Sequence, residues 1–88
     1  MKLEKENVIT IGDNENYLIL DKTNLNNKDY YYIIRVDNKL NPTDYYTIIE
    51  EVNDLNETYV KKVTDENLYR ELITIFANNF VEENKNKE

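Results

Sequence analysis

The hydrophobic pattern changes its period near Thr64, and this change constrains the fold more than any other feature of the sequence. Before Thr64, short runs of β-branched and aromatic residues alternate with polar turns, which is typical of antiparallel strands. After it, apolar residues recur every three or four positions and predict an amphipathic helix over about Asp65 to Val81. The predicted fold class is therefore α+β: a curled antiparallel β-meander of four to five strands, followed by one C-terminal helix packed on one face.

The candidate strands share a high content of Val, Ile, Tyr and Thr, and polar residues separate them. They cover residues 8–11, 17–20, 30–36, 45–52 and 58–63. Thr64 or Asp65 can cap the helix, whose positive N-terminal end suits the acidic residues there. The length of 88 residues predicts one small domain. We expect its charged ends, residues 1–6 and 82–88, to fray.

The predicted core takes alternate residues of the strands and the apolar stripe of the helix. It comprises Ile9, Ile11, Leu18, Leu20, Tyr32, Ile34, Ile48, Val60, Leu68, Leu72, Ile75 and Phe76. One helix covers only one face of a sheet, yet the other face also carries Tyr and Ile. That face is either an interaction surface or is buried by a strongly curled sheet. Tyr30 and Tyr32 point to one face and Tyr31 to the other, so we expect at least one of these sets to be exposed.

The side chains most used in acid–base, nucleophilic and soft-metal chemistry are missing, because the sequence contains no His and no Cys. Glu50 and Glu51 are neighbours on a strand, so their carboxylates point to opposite faces and do not share a site. Residues 13–16 resemble the start of a calcium loop, but Leu18 stands where that loop requires glycine. We therefore predict no enzyme activity, no catalytic residues, no metal site and no cofactor.

The net charge limits the partners of this chain. Its 18 acidic and 11 basic residues give a formal charge of −7, which argues against direct binding to nucleic acid phosphates or to anionic membranes. No apolar run approaches the roughly 18 residues of a membrane span. No secretory signal is visible, so we expect a cytoplasmic protein. A protein partner, including a basic one, is compatible with the charge.

The order of the elements is similar to that of a known family. A strand at residues 7–11 leads into an acidic turn at 12–15, and a last strand precedes an acidic cap and a short helix at 64–76. In these features, over roughly residues 6–80, the chain resembles the uncharacterised YrzB-like family of small acidic proteins from Gram-positive bacteria and their mobile elements. It departs from the family in its middle loop, which contains Asn, Lys and Pro. The resemblance implies the fold and no activity or site.

Tyrosines and carboxylates are the candidates for contact with a partner, because Tyr offers a large contact area at a low entropic cost. We predict a non-catalytic protein-binding or regulatory module that acts through an acidic, tyrosine-rich surface. Homo-oligomers through the free sheet face or an edge strand are a further hypothesis. The alternative is an acidic phage-type inhibitor that mimics nucleic acid and occupies the basic groove of a nucleic-acid-handling defence enzyme. The candidate contact residues are Tyr31, Tyr45, Glu50, Glu51, Asp54 and Glu57.

Overall fold

The computed structural model describes residues 3–85 as a five-stranded antiparallel sheet followed by one helix, which confirms the predicted fold class. The elements are β1 (Val8–Ile11), β2 (Glu15–Leu25), β3 (Lys28–Val36), β4 (Pro42–Asp54), β5 (Glu57–Lys62) and α1 (Glu66–Lys85). The strands lie in chain order in the sheet, as expected for a meander. β2 and β4 extend beyond their predicted ends. Residues 21–25 continue the pairing of β2 with β3, Pro42 pairs with Val36 of β3, and Asn53 and Asp54 continue the pairing of β4 with β5.

Residues near both ends of the described chain contact the rest of the fold. Leu3 is buried, and the Glu6 N–H donates a hydrogen bond of 2.8 Å to the Ile19 carbonyl oxygen. At the other end α1 continues to Lys85, and Lys5 forms an ion pair with Glu83. Fraying at residues 3–6 and 82–85 stays a prediction. The rest of the two segments, residues 1–2 and 86–88, lies outside the described residues.

Two hydrophobic clusters lie on opposite faces of the sheet. The inner cluster comes from the strands and the N-terminal segment: Leu3, Ile9, Tyr17, Ile19, Tyr31, Ile33 and Ile49. The outer cluster joins the sheet to the helix: Tyr30, Ile48, Leu72 and Phe76. The sheet curls around the inner cluster, and α1 packs on the outer face. Of the two interpretations of the second face, the curled sheet is therefore the one that this fold adopts.

The curl also decides which apolar residues are buried. Tyr17 and Ile19 are fully buried in the inner cluster, whereas Leu18 and Leu20, which were predicted as core, are half-buried on the outer face. The pairing of β2 with β3 shifts its register between Ile19 and Asp21, so a bulge at Leu20 changes the alternation there. Apart from Ile34, which is buried but belongs to neither cluster, the other predicted core residues are divided between the two clusters. Ile9, Ile34, Ile48, Leu72 and Phe76 are buried, and Ile11, Tyr32, Val60, Leu68 and Ile75 are half-buried.

Two of the hairpins have two-residue turns. Their turn residues differ in how well they tolerate a positive φ angle. Asn26 and Asn27, between β2 and β3, both have positive φ angles, which asparagine tolerates well. Between β4 and β5 the left-handed position is instead occupied by Leu55, with φ 54°. In this region steric contact of its Cβ raises the free energy of a leucine by about 1–2 kcal/mol. Its side chain is 99% exposed, so packing does not compensate for the strain.

Leu55→Gly is expected to raise the free energy of unfolding by about 0.5–1 kcal/mol. Glycine removes the steric cost at Leu55, and the greater freedom of its unfolded chain offsets part of this gain. The measurement is urea denaturation followed by circular dichroism. Asn26→Gly is the matched control and should change the midpoint little, because asparagine already suits its turn. A lower midpoint for Leu55→Gly than for the wild type would contradict the assigned strain.

Candidate binding groove

An open apolar groove lies between the outer face of the sheet and the C-terminal half of α1, with a volume of about 720 Å³. The apolar residues that line this groove are Leu18, Ile19, Leu20, Tyr32, Tyr46, Ile73, Phe76, Ala77, Phe80 and Val81. Leu18, Ile34 and Tyr46 lie side by side on three neighbouring strands. The groove exists because α1 covers only part of the outer face. Leu72 and Phe76 of the helix pack on the sheet, whereas Leu18 and Tyr46 are left without a helix above them.

Three aromatic rings form a continuous apolar platform along the groove. Tyr32 stacks on Tyr46 with ring centroids 5.6 Å apart and on Phe76 at 5.5 Å. The interplanar angles are 13° and 23°, so the three rings are close to parallel. Stacked rings hold each other in place with little remaining side-chain freedom. The platform is therefore largely preorganised for a partner that packs against Tyr46, which is half exposed.

The apolar stripe of α1 continues beyond the part of the helix that the sheet covers. Phe80 lies one helical turn after Phe76 and is 65% exposed, and the adjacent Val81 is 58% exposed. A Phe side chain would normally bury most of its surface in a domain of this size. Together with Tyr46 these side chains form an exposed apolar patch of the kind that marks an interaction site.

The rim of the groove is polar and acidic. It carries three carboxylates, from Glu6, Asp21 and Glu83, and one ammonium group, from Lys5. The hydrogen bond and ion pair with Glu83 raise the pKa of Lys5, so this lysine stays charged. The Asp21 carboxylate accepts a hydrogen bond of 3.3 Å from the Asn79 amide and thereby joins β2 to α1. A ligand at this rim therefore meets a net negative charge.

Three of the predicted contact residues already bind partners within the protein. At least one of two sets, Tyr30 with Tyr32 or Tyr31 alone, was expected to be exposed, and this is wrong. Tyr30 is 3% exposed, Tyr32 is half-buried, and Tyr31 is 0% exposed because the sheet curls around it. Its hydroxyl group donates a hydrogen bond of 2.8 Å to Glu51. Glu50 is only 7% exposed and forms ion pairs with Lys28 at 3.2 Å and Lys61 at 3.4 Å. Glu50 and Glu51 do lie on opposite faces, as predicted from their adjacency.

The remaining predicted residues are exposed but far apart. Tyr45 is half exposed, with its ring centroid 6.3 Å from that of Tyr17 and 5.5 Å from the Lys62 Nζ. Asp54 and Glu57 flank the turn at the opposite end of β4. Asp54 lies nine positions after Tyr45 along β4, which corresponds to a distance of about 30 Å. The predicted residues therefore do not form one site.

Burial and hydrogen bonding shift the pKa values of several described residues. Burial, with a hydrogen bond to Glu15, raises the pKa of Tyr17 to about 12, and burial raises the pKa of Tyr31 in the same way. Backbone hydrogen bonds lower the pKa of Asp37 in the β3–β4 loop. Each of these shifts moves a pKa away from 7, whereas a general acid or base works best with a pKa near the operating pH.

Residues 3–85 contain neither a metal-binding cluster nor a helix long and apolar enough to span a membrane. No group of three or more acidic side chains in this range is placed to hold a metal ion. Within the same range α1 is not apolar enough to cross a membrane. The chain matches no family model, and no curated protein or solved structure matches it at a significant level.

Proposed function

We propose that this protein is a non-catalytic protein-binding or regulatory module that holds an apolar segment of a protein partner in its groove. The observation that carries this proposal is the exposure of Phe80, Val81 and Tyr46 around a preformed cavity of about 720 Å³. Exposed aromatic anchors next to a pocket are the usual centre of a protein interface. The tyrosine-rich surface predicted from the sequence is thus proposed at Tyr46 and Tyr32 rather than at Tyr31.

The charge of the protein indicates the chemistry of the partner. The rim carboxylates and the net charge of −7 favour a segment whose apolar residues are flanked by Lys or Arg. Long-range attraction would accelerate the encounter, and burial of apolar surface in the groove would hold the complex together. We place this interaction in the cytoplasm. We also keep the resemblance to the YrzB-like family as part of the proposal, since it agrees with the fold.

A second candidate function is inhibition of a nucleic-acid-handling enzyme by charge mimicry. The observation that favours it is the pair of exposed carboxylates, Asp54 and Glu57, at the tip of the β4–β5 hairpin. Glu50 and Glu51 contribute less to such a surface, because each already has a partner within the protein. A mimic depends on charge, so its affinity should fall steeply with salt, whereas an apolar contact should change little.

Affinity purification with matched variants tests these two candidates. We expect a partner that is captured by the wild type and by Asp54→Lys but not by Phe80→Asp. The loss should reach about 30-fold in affinity, the size of a typical hot-spot substitution. Phe80 is exposed, so its substitution should leave the protein folded, and circular dichroism checks this. A partner that binds Phe80→Asp normally but is lost with Asp54→Lys or in 0.5 M salt, a concentration of about three times the physiological value, would favour mimicry instead.

A further inference from the structure

β5 is an edge strand whose outer side is paired with no other strand among residues 3–85. Its side chains are mostly exposed, including Tyr59 at 46%. Edge strands usually limit further pairing with charged side chains, above all Lys, or with a proline. β5 reads Glu-Thr-Tyr-Val-Lys-Lys, and its charges are compatible with a second copy of itself, because Glu57 and Lys61 lie at equal distances on either side of Tyr59. We propose that two copies of this protein pair antiparallel through β5, in a symmetric register centred on Tyr59.

The backbone of β5 is arranged for this register. A two-residue turn joins Asp54 to Glu57, so the hydrogen-bonded pairs of this hairpin begin at Glu57 and recur at every second residue. The N–H and C=O groups of the intervening Thr58 and Val60 therefore point away from β4. Centring the pairing on Tyr59 places Thr58 opposite Val60 of the second copy, and these two residues can exchange both of their hydrogen bonds. The twofold axis generates the same exchange a second time.

The side chains of β5 are complementary to themselves in the same register. Glu57, Tyr59 and Lys61 share one face of the strand. Each Glu57 would lie opposite Lys61 of the second copy, and the two Tyr59 rings would face each other. These are non-hydrogen-bonded pairs, whose Cα atoms approach to about 4.5 Å and whose side chains make the closer contacts. Two ion pairs and one aromatic pair thus follow from a single register.

The surroundings of β5 leave this edge accessible. The Lys61 side chain is 63% exposed while it contacts Glu50, and Glu50 also retains Lys28 as a partner. α1 runs away from β5 toward β2, where Asn79 contacts Asp21. Each copy carries a charge of −7. At about 0.15 M salt the Debye length is about 8 Å, so repulsion between these net charges is largely screened while ion pairs in contact persist.

Cysteine cross-linking tests the register, since the natural chain contains no Cys. Tyr59→Cys should form a covalent dimer under mild oxidation, because the paired Cα atoms lie within the range of a disulfide. Leu55→Cys is the control: its side chain is more exposed, but it lies four residues from the axis in each copy. Faster dimer formation by Tyr59→Cys supports the pairing. Equal rates for the two variants would overturn it.

Charge reversal tests the ion pairs, with association measured by sedimentation velocity. Glu57→Lys and Lys61→Glu should each weaken self-association about tenfold, since each places like charges opposite each other. An equimolar mixture of the two should associate as strongly as the wild type. In the control, labelled Lys61→Glu is mixed with Asp54→Lys, which gives the same net charges. Association of the labelled Lys61→Glu should stay weak there, because its new carboxylate would lie opposite Glu57 of the second copy. No recovery in the first mixture, or equal recovery in both, would overturn the proposal. Phe80→Asp should dimerise normally, so this result is independent of the groove.

Discussion

Leu72→Asp is expected to unfold the protein. Leu72 is 0% exposed and packs in the middle of the outer cluster, between the sheet and α1. The substitution removes about 2–5 kcal/mol of packing and buries a carboxylate that finds no partner there. A domain of 88 residues has a total stability of about 4–13 kcal/mol, at roughly 0.05–0.15 kcal/mol per residue. The combined cost is comparable to this total, so the folded state should lose most of its population.

The measurement is thermal unfolding followed by circular dichroism, with Phe80→Asp as the matched control. Phe80 lies two helical turns after Leu72 on the same helix and receives the same new side chain, but it is exposed. We expect Phe80→Asp to keep a cooperative transition within a few degrees of the wild type. A normal transition for Leu72→Asp as well would mean that α1 does not pack on the sheet through Leu72.

Local sequence pattern predicted the elements of this fold well, because each strand and helix depends on residues close together in the chain. The change of period at Thr64 coincides with the passage from β5 to α1, which begins at Glu66. The helix runs past Val81 to Lys85 although the apolar stripe has ended. Residues with good helix propensity and the ion pair between Glu83 and Lys5 provide the physical reason.

The burial of individual residues was harder to predict, since it depends on the curvature of the whole sheet. In β2 the residues of both faces are apolar, so alternation alone does not distinguish Tyr17 and Ile19 from Leu18 and Leu20. The curl buries the first pair, and the helix leaves the second pair half-exposed. The same curl hides Tyr31, which an extended flat sheet would have left on the surface.

The groove depends on where α1 crosses the sheet, which no local pattern specifies. One signal was nevertheless present in the sequence. Phe80 extends the apolar stripe of the helix by a full turn beyond Phe76, and a single small sheet offers limited area to cover it. An apolar stripe longer than the surface available to bury it is an indication of a binding site that applies to other small α+β chains.

Alkaline unfolding should depend on two buried tyrosines of the inner cluster. The Tyr17 hydroxyl group donates a hydrogen bond of 2.7 Å to Glu15, and burial together with this carboxylate raises the pKa of Tyr17 to about 12. Burial and the hydrogen bond to Glu51 raise the pKa of Tyr31 as well. In the unfolded chain both groups titrate near pH 10, at about the ordinary value for Tyr. The unfolded state therefore releases these protons first, and the folded state loses stability as the pH rises above 10.

The expected result is a fall of the free energy of unfolding between pH 10 and 12, by up to about 1.4 kcal/mol per pH unit for each of the two tyrosines. Urea denaturation at a series of pH values measures this slope. Tyr17→Phe and Tyr31→Phe should each cost about 1 kcal/mol at pH 7, because a hydrogen bond is lost. Each should also make the alkaline slope shallower, because one titrating group is gone. If both variants kept the wild-type slope, the alkaline transition would have to come from groups outside the inner cluster.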